Sequence, residues 1–255
     1  MYIAKRYLGS KSSNNAINII TLIATLGVIV STIALFIVLS VFSGLKDFSL
    51  SFIRTADPDL KITATKGKSF LFDESMEKVL LLEKIAAYTK VVEERVFLSY
   101  GEKSHVASIK GVDSNYLLVN RLDTAVYFGN WVNYDAKYTV VVGSAISTAL
   151  SVGSYDFLES LKIYVPKPGK GYITNPKTAF NQIGAQTIGI YRLTDDIDKK
   201  FVYSNLSLAQ DLLNYKPNQI SAIELKLQEG ASAKDVQNDL KEILGSDFEV
   251  KTRQQ

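Results

Sequence analysis

The spacing of charged and apolar residues divides the chain into two unequal parts. Residues 12–45 form a run of 34 positions without a charged side chain, bounded by Lys11 and Lys46. The apolar centre of this run, Ile19–Phe42, exceeds the roughly 20 residues with which a helix crosses a hydrocarbon layer of about 30 Å. The pattern predicts one membrane-spanning helix, followed by a polar body of about 210 residues.

The flanks of the run set the boundaries of this helix. Met1–Gly9 mixes aromatic, aliphatic and basic residues, so residues 1–16 are predicted as a cytoplasmic or interfacial segment, with a frayed terminus as the alternative. Apolar residues keep a helical spacing through Gly44–Arg54, and Asp57-Pro58 should end the helix. We predict a spanning helix with an extramembrane extension over residues 17–54. The alternative is a signal peptide, but the apolar region of such peptides has only about 7–15 residues.

Small and hydroxyl-bearing residues recur within the span at intervals of four. Thr21 and Thr25 form one such pair, and Gly27 and Ser31 form another. Small residues at this spacing let two helix backbones approach closely in lipid, so these four are predicted helix-packing positions. The alternative is an ordinary span whose hydroxyls bond back to carbonyls of their own helix.

The polar body alternates short strands with short helices, a pattern typical of the α+β class. The predicted strands cover residues 60–64, 87–100, 104–111, 140–142, 161–165, 186–193, 201–204, 220–227 and 248–251. The predicted helices cover residues 74–85, 144–150, 206–214 and 232–244, and Ser144 and Ser232 are predicted N-caps. The alternation within residues 220–227 predicts a strand with one buried face.

The middle of the body has a different composition from its flanks. Residues from about 115 to 180 are richer in Gly, Pro, Tyr and Asn, and residues 166–171 form a turn-rich loop. We predict a two-lobed domain over residues 55–255, with a lobe at about 115–180 inserted between the outer elements.

The charge distribution indicates an orientation in the membrane. The chain has 255 residues, of which 29 are basic and 26 acidic. Lys5, Arg6 and Lys11 precede the apolar run without any acid, so residues 12–255 carry 26 of each sign. By the positive-inside rule the N-terminus is cytoplasmic and the body lies across the membrane. The neutral body has no Lys/Arg cluster, which argues against nucleic acid as a partner.

Candidate chemistry is sparse. The chain has no Cys, which excludes disulfides and thiolate sites, and its single histidine, His105, is expected to be structural. Three acids in residues 195–198 lack the spacing of an EF-hand and are predicted to form a solvated turn. Residues 143–145 lack the G-x-S-x-G pattern, and residues 169–171 lack that of a P-loop. We predict no catalytic residue, metal site or cofactor, and no enzyme activity.

Several short motifs follow one another in an order shared with one family. They are AKRYL at 4–8, IATLG at 23–27, VLSVFSGL at 38–45, IKGVD at 109–113, VVVG at 140–143, ALSVG at 149–153, IGIY at 188–191 and LAQDLL at 208–213. Together they resemble the lipoprotein-releasing ABC permeases of the LolC/LolE type, within the FtsX/MacB permease superfamily. Phe42, Ser43 and Leu45 depart from the family pattern at the end of the span.

The resemblance implies a permease subunit that extracts lipoproteins from the bacterial inner membrane, with a MacB-like periplasmic core domain. The implied partners are a cytoplasmic ABC ATPase dimer, a second permease subunit of the same or another sequence, lipoprotein cargo, a periplasmic carrier and membrane lipid. We expect contact with lipid or cargo at the outer end of the span, at Val38, Val41, Phe42, Leu45 and Phe48. Family members have three further spans after the domain, so the chain is expected to be an N-terminal portion.

Three alternatives stay open on the sequence alone. A MacB-like permease carries its own ATPase domain before the first span, whereas about 16 residues precede it here. An FtsX-like permease would transmit motion to a cell-wall hydrolase instead of moving a lipoprotein. A binding or scaffold protein anchored by a single span would need no partner helices, and the small residues of the span disfavour it.

Overall fold

The structure is a computed structural model that describes residues 15–56, 58–155, 159–167 and 179–252. The chain divides into two compact units, Met1–Ser51 and Phe52–Gln255. Most of the predicted interfacial segment and of the loop at 166–171 lies outside the described residues.

One long helix, α1, makes up the described part of the first unit and continues into the second. It runs from Asn15 to Ala56 without a break. It therefore covers all of residues 17–54, where the sequence predicts the span and its extension, and it ends directly before Asp57-Pro58. A proline cannot donate to a helical carbonyl and restricts the residue before it, which explains this end point.

The second unit is a mixed α/β domain. Its strands are β1 Leu60–Ala64, β2 Phe70–Leu71, β3 Ile85–Tyr100, β4 Lys103–Val112, β5 Val126–Gly129, β6 Thr139–Gly143, β7 Leu161–Pro166, β8 Phe180–Tyr191, β9 Phe201–Asn205, β10 Gln219–Ile220, β11 Ala222–Leu227 and β12 Phe248–Thr252. Its α-helices are α2 Glu74–Leu80, α3 Tyr116–Val119, α4 Ser144–Leu150, α5 Asp195–Asp198, α6 Leu206–Leu213 and α7 Ala233–Leu244. Short 3-10 helices cover Leu122–Ala125 and Gly245–Asp247.

The main sheet is partly closed on itself. Its strand order is β12-β1-β11-β3-β4-β9-β6-β8-β5, and β7 pairs with both β3 and β8. One side of β3 pairs with β4 over its second half, while the other side pairs first with β11 and then, over Phe97–Ser99, with β7. The strands β3, β4, β9, β6, β8 and β7 therefore form a ring.

Two buried clusters lie on opposite faces of this sheet. The larger contains Val140 and Val142 of β6 and side chains from α2, α4, α6 and α7. The smaller contains Val141 of the same strand, together with Tyr116 and Tyr203. Successive side chains of a strand point to opposite faces, which is how one strand supplies both clusters. The boundaries of the inserted lobe at about 115–180 stay a prediction.

Three local predictions need correction. The strand over residues 220–227 was expected to bury one face, but in β11 both faces are buried apart from Lys226, because α3 and Asn120 cover the second face. Strand β8 begins at Phe180 and not at residue 186, because its first residues pair with β7. Helix α2 ends at Leu80 and not at residue 85, where β3 already begins.

The domain's chain enters and leaves its sheet at the same place. Leu60, which begins β1, is paired with Thr252, which ends β12. On its other side, β1 pairs with β11 over Leu60–Thr63. The strand that follows α1 in the sequence is thus held between two neighbours.

Candidate functional site

The long helix carries the apolar surface on which the predicted site residues lie. Ile19–Lys46, a stretch of 28 residues, is long and apolar enough to cross a membrane, and none of it is buried by the rest of the described chain. At 1.5 Å per residue it is about 42 Å long, which exceeds a hydrocarbon core of about 30 Å. An exposed apolar surface of this size requires lipid or other apolar helices around it.

The predicted contact residues form one stripe near the C-terminal end of this stretch. Val38 and Val41 are each 64% exposed, Phe42 is 69% exposed and Leu45 is 59% exposed. Their spacing of three and four residues places them on one face of a helix with 3.6 residues per turn. Phe48 follows at the same spacing within α1, but its side chain is outside those that the structure describes.

The four predicted packing residues divide into two pairs. The hydroxyl of Thr21 donates to the carbonyl of Ile17 at 2.9 Å, and the hydroxyl of Thr25 donates to the carbonyl of Thr21 at 2.8 Å. Both hydroxyls thus bond back to their own helix, as the alternative interpretation expected. Gly27 leaves open space, because a Cβ built there meets no atom within 4 Å.

Helix geometry sets the relation between these pairs and the stripe. At about 100° per residue, Gly27 and Ser31 lie roughly 120° around the helix from Thr21 and Thr25. They lie on the same face as the stripe centred on Phe42. One face of α1 thus combines a small-residue notch at Gly27 and Ser31 with a bulky apolar stripe whose centre lies about 19 Å further along.

The domain contains a buried ion pair that the sequence analysis missed. The Lys110 ammonium lies 2.7 Å from the Glu224 carboxylate, and the two side chains are 7% and 1% exposed. The Asn120 amide donates to the other oxygen of Glu224 at 2.8 Å. The Lys110 ammonium also lies over the rings of Tyr116 and Phe201. Burial alone would lower the pKa of Lys110, but the Glu224 carboxylate raises it above its ordinary value.

A second pair lies beside the first. The ammonium of Lys61 on β1 contacts the carboxylate of Glu93 on β3 at 2.7 Å. Burial opposes the ionisation of Glu93, yet Lys61 and then Lys110 hold its pKa below the usual value. Since Lys110 lies on β4 and Glu224 on β11, the two pairs connect four strands of the sheet. Because each of the four charged groups already has an oppositely charged partner, we interpret the two ion pairs as structural.

The sequence offered one signal for this ion-pair network. Glu224 lies between Ile223 and Leu225, and Lys110 lies between Ile109 and Gly111, so each charge interrupts a run of buried residues. A charge in such a run needs a partner, because an unpaired buried charge is costly. Which residue of opposite charge neutralises Lys110 or Glu224 depends on strand pairing, which local sequence patterns do not show.

The residues considered for chemistry have structural partners. A ring nitrogen of His105 lies 2.8 Å from the carbonyl oxygen of Lys199. The acids of 195–198 do not form a wholly solvated turn, because Asp198 is 1% exposed and accepts from the Ser144 hydroxyl and the Leu193 amide. Among the described residues, no three His, Cys, Asp or Glu side chains meet in a group that could hold a metal ion.

The prediction that Ser144 caps α4 is wrong. Gly143 precedes the helix, and Ser144 is its first residue. A Cβ at Gly143 would lie 2.0 Å from the backbone oxygen of Asp198, which explains the glycine. The Ser144 hydroxyl instead donates to Asp198 at 2.7 Å and connects α4 to α5.

Comparison with known proteins identifies the family to which this fold belongs. The family model for the MacB-like periplasmic core domain matches residues 21–243. The lipoprotein-releasing system transmembrane protein LolE of Haemophilus influenzae is 23% identical over 240 residues, which are 92% of this chain and 56% of that protein. The corresponding LolC of Buchnera aphidicola is 23% identical over 236 residues, 87% of this chain and 54% of that protein. The chain spans about half the length of these relatives.

Solved structures share the fold. The periplasmic region of MacB from Actinobacillus actinomycetemcomitans matches with a TM-score of 0.52 at 17% identity, covering 80% of this chain and 93% of that one. The extracellular domain of the noncanonic ABC-type transporter YknZ from Gram-positive bacteria also matches with a TM-score of 0.52, at 11% identity, covering 76% of this chain and 99% of that one. The chain belongs to the MacB-like periplasmic core domain family, within the FtsX/MacB superfamily of ABC transporter permeases that includes the LolC/LolE type.

Proposed function

We propose that this chain acts as a permease subunit that extracts lipoproteins from the inner membrane, together with a cytoplasmic ABC ATPase dimer and a second permease subunit. The observation that carries the proposal is the similarity to LolE and LolC over most of the chain, joined to an exposed apolar helix. In this arrangement the N-terminus is cytoplasmic and the mixed α/β domain is periplasmic, as the positive-inside rule predicts.

The face of α1 supports a division of labour along its length. Gly27 and Ser31 allow a neighbouring span to approach closely on the cytoplasmic side. Further along the same face, the bulky side chains of Val38, Val41 and Phe42 hold that neighbour at a distance and offer apolar contacts to acyl chains. Each acyl CH₂ that leaves the bilayer costs about 0.8 kcal/mol, so acyl chains require such contacts as well as work from ATP.

The domain would transmit motion and perform no chemistry of its own. Strand β1, the first after α1, is paired on both sides, and its Lys61 is bonded to Glu93 two strands away. A displacement applied at Leu60 therefore acts on the whole sheet. The closed ring of strands and the buried Lys110–Glu224 pair resist internal deformation, because packed interiors transmit strain.

Lipoprotein release from proteoliposomes tests the proposal. The full-length permease complex that contains this chain is reconstituted with its ATPase, a lipidated cargo and a soluble acceptor. Phe42→Asp places a charge in the stripe, and Ser43→Asp places the same charge at nearly the same depth about 100° around the helix. We expect Phe42→Asp to abolish ATP-dependent release and Ser43→Asp to retain it, with both variants inserted to the same extent.

The alternatives give other results in the same assay. If Phe42→Asp releases lipoprotein as the unmodified chain does, the assignment of this face to cargo is wrong. If the unmodified complex hydrolyses ATP but releases no lipoprotein, an FtsX-like or MacB-like permease that transmits motion to another target replaces the proposal. A chain that assembles with no ATPase would instead be an anchored binding or scaffold protein.

A further inference from the structure

Strand β3 leaves a cleft where its pairing changes partner. Strand β11 pairs with β3 up to Val91, and β7 joins only at Phe97. Between them, Ser221 bonds to the backbone of Val91 and Glu93, and the amide of Arg95 donates to the side chain of Glu94. In the described part of the chain no strand therefore covers this side of β3 at Glu94–Val96.

The cleft is large enough to hold a small molecule. Its volume is about 790 Å³, within the range of about 300–1,000 Å³ that is typical of small-molecule sites. Two side-chain bonds fix its walls: the Asn181 amide of β8 donates to the carbonyl of Leu212 in α6, and the Gln219 amide donates to the Ser69 hydroxyl. Most of the lining is apolar or aromatic, and includes Val96, Phe97, Val165, Phe180, Leu213 and Tyr215.

Apolar surface in the cleft remains exposed to water. Phe180 is 39% exposed, Phe97 is 42% exposed and the neighbouring Val106 is 48% exposed. Phe97 also lies against the ring of Tyr164 on β7. Aromatic and aliphatic side chains that line a cavity in this way gain free energy when an apolar ligand displaces water from them.

Basic residues outnumber acidic residues in the lining of the cleft. The lining holds three basic residues, Lys68, Arg95 and Lys167, against one acid, Glu94. Glu94 is engaged by Lys68 through both carboxylate oxygens, at 2.8 and 2.9 Å. Arg95 and Lys167 make no ion pair with the described residues, and both are exposed. Two cations at an apolar cleft are complementary to a ligand with an alkyl chain and an anionic end.

We propose that this cleft binds a long-chain fatty acid, with its alkyl chain along Pro166, Phe180 and Leu213 and its carboxylate at Arg95 and Lys167. The inference goes beyond the proposed function, because binding needs neither nucleotide, cargo nor a partner chain. A failure of the lipoprotein-release assay leaves it untouched, and a failure of fatty-acid binding leaves the release proposal untouched.

Photochemical labelling tests the proposal on the full chain in lipid nanodiscs. A long-chain fatty acid with a diazirine near its methyl end is bound and irradiated, and the labelled peptides are identified by mass spectrometry. We expect labelled peptides from β7, β8 and α6, and competition by unmodified fatty acid. A fatty alcohol of the same length, which lacks the carboxylate, should compete at least about tenfold less well, since removing two charged contacts weakens binding by about this factor.

Matched variants separate the charged and apolar contributions. The double substitution Arg95→Gln/Lys167→Gln should weaken binding by about tenfold, whereas Arg121→Gln/Lys241→Gln, at exposed sites elsewhere, should not. Phe180→Gln should reduce labelling, while Leu118→Gln, which alters a side chain 66% exposed on α3, should not. The proposal is overturned if label appears only in α1, if the alcohol competes as well as the acid, or if the cleft variants label like their controls.

Discussion

The buried Lys110–Glu224 pair gives the sharpest stability prediction. Lys110→Met removes the ammonium but keeps much of the side-chain volume, and leaves a carboxylate that is 1% exposed with Asn120 as its remaining described partner. Breaking a buried pair in this way costs about 3–5 kcal/mol. For a domain of about 200 residues, where about 1 kcal/mol shifts the melting temperature by about 2–4 °C, the expected decrease is about 6–20 °C.

The chain contains a natural fluorescent probe for this prediction. Trp131 is the single tryptophan, and its ring lies 5.2 Å from Tyr203 and 6.0 Å from Tyr116, the ring over which Lys110 lies. Its fluorescence therefore reports on the aromatic cluster against which the pair lies. Thermal and urea unfolding of the full chain in detergent, followed at this tryptophan, compares the variants directly.

Two comparisons decide the outcome. Lys84→Met removes an exposed ion pair with Asp239 and should leave the unfolding midpoint unchanged. Lys110→Met/Glu224→Leu removes both buried charges and should recover part of the stability that Lys110→Met loses, because replacing a whole buried pair by apolar residues is often neutral. The recovery is incomplete because the buried Asn120 amide loses its acceptor. If Lys110→Met shifts the midpoint no more than Lys84→Met does, the pair does not stabilise the domain and the reasoning is refuted.

Three further predictions follow from single positions. Gly27→Leu should reduce co-purification of partner spans from membranes. It should not shift the unfolding midpoint of the chain itself, because a Cβ at Gly27 has no described atom within 4 Å. Unchanged co-purification would contradict a packing role. Gly143→Ala should destabilise the domain by about 1–3 kcal/mol in urea unfolding, because its Cβ would meet the backbone of Asp198, whereas Gly153→Ala meets open space and should be neutral. The pKa of Glu93 is lowered in the folded protein. The ionised carboxylate therefore stabilises the fold above its unfolded pKa of about 4.3, and this stabilisation is lost as pH falls through its folded pKa. Glu93→Gln should flatten the acid side of a plot of unfolding free energy against pH, and an unchanged plot would contradict the assignment.

Local signals predicted the individual elements well. The absence of charge over residues 12–45 indicated α1. Gly101, with a φ of 54°, lies between the predicted strands 87–100 and 104–111 and marks the turn of the β3–β4 hairpin. The helix α7 begins after Ser232, whose hydroxyl accepts the Asp235 amide as an N-cap. These features depend on neighbours within a few residues, which a sequence shows directly.

The pairing between distant strands could not be predicted in the same way. The closure of the ring requires β7 to pair with both β3 and β8, and no local pattern specifies this. The alternation of residues 220–227 predicted one buried face, because alternation alone does not reveal that Asn120 and α3 cover Glu224. For the site, the contact residues from Val38 to Phe48 were chosen by their place at the outer end of the span, and their contact with lipid or cargo stays a prediction. The Lys110–Glu224 pair and the cleft beside β3 depend on tertiary contacts.

The central claim is that α1 crosses the membrane with its N-terminus inside and presents the domain on the opposite side. The chain has no native cysteine, so single-cysteine variants give a direct measurement in cells. A membrane-impermeant thiol reagent, added after the outer membrane has been permeabilised, should label Lys241→Cys on α7 in intact spheroplasts and label Ser12→Cys only after lysis. Equal labelling of both positions, or labelling of Ser12→Cys alone, would contradict the account.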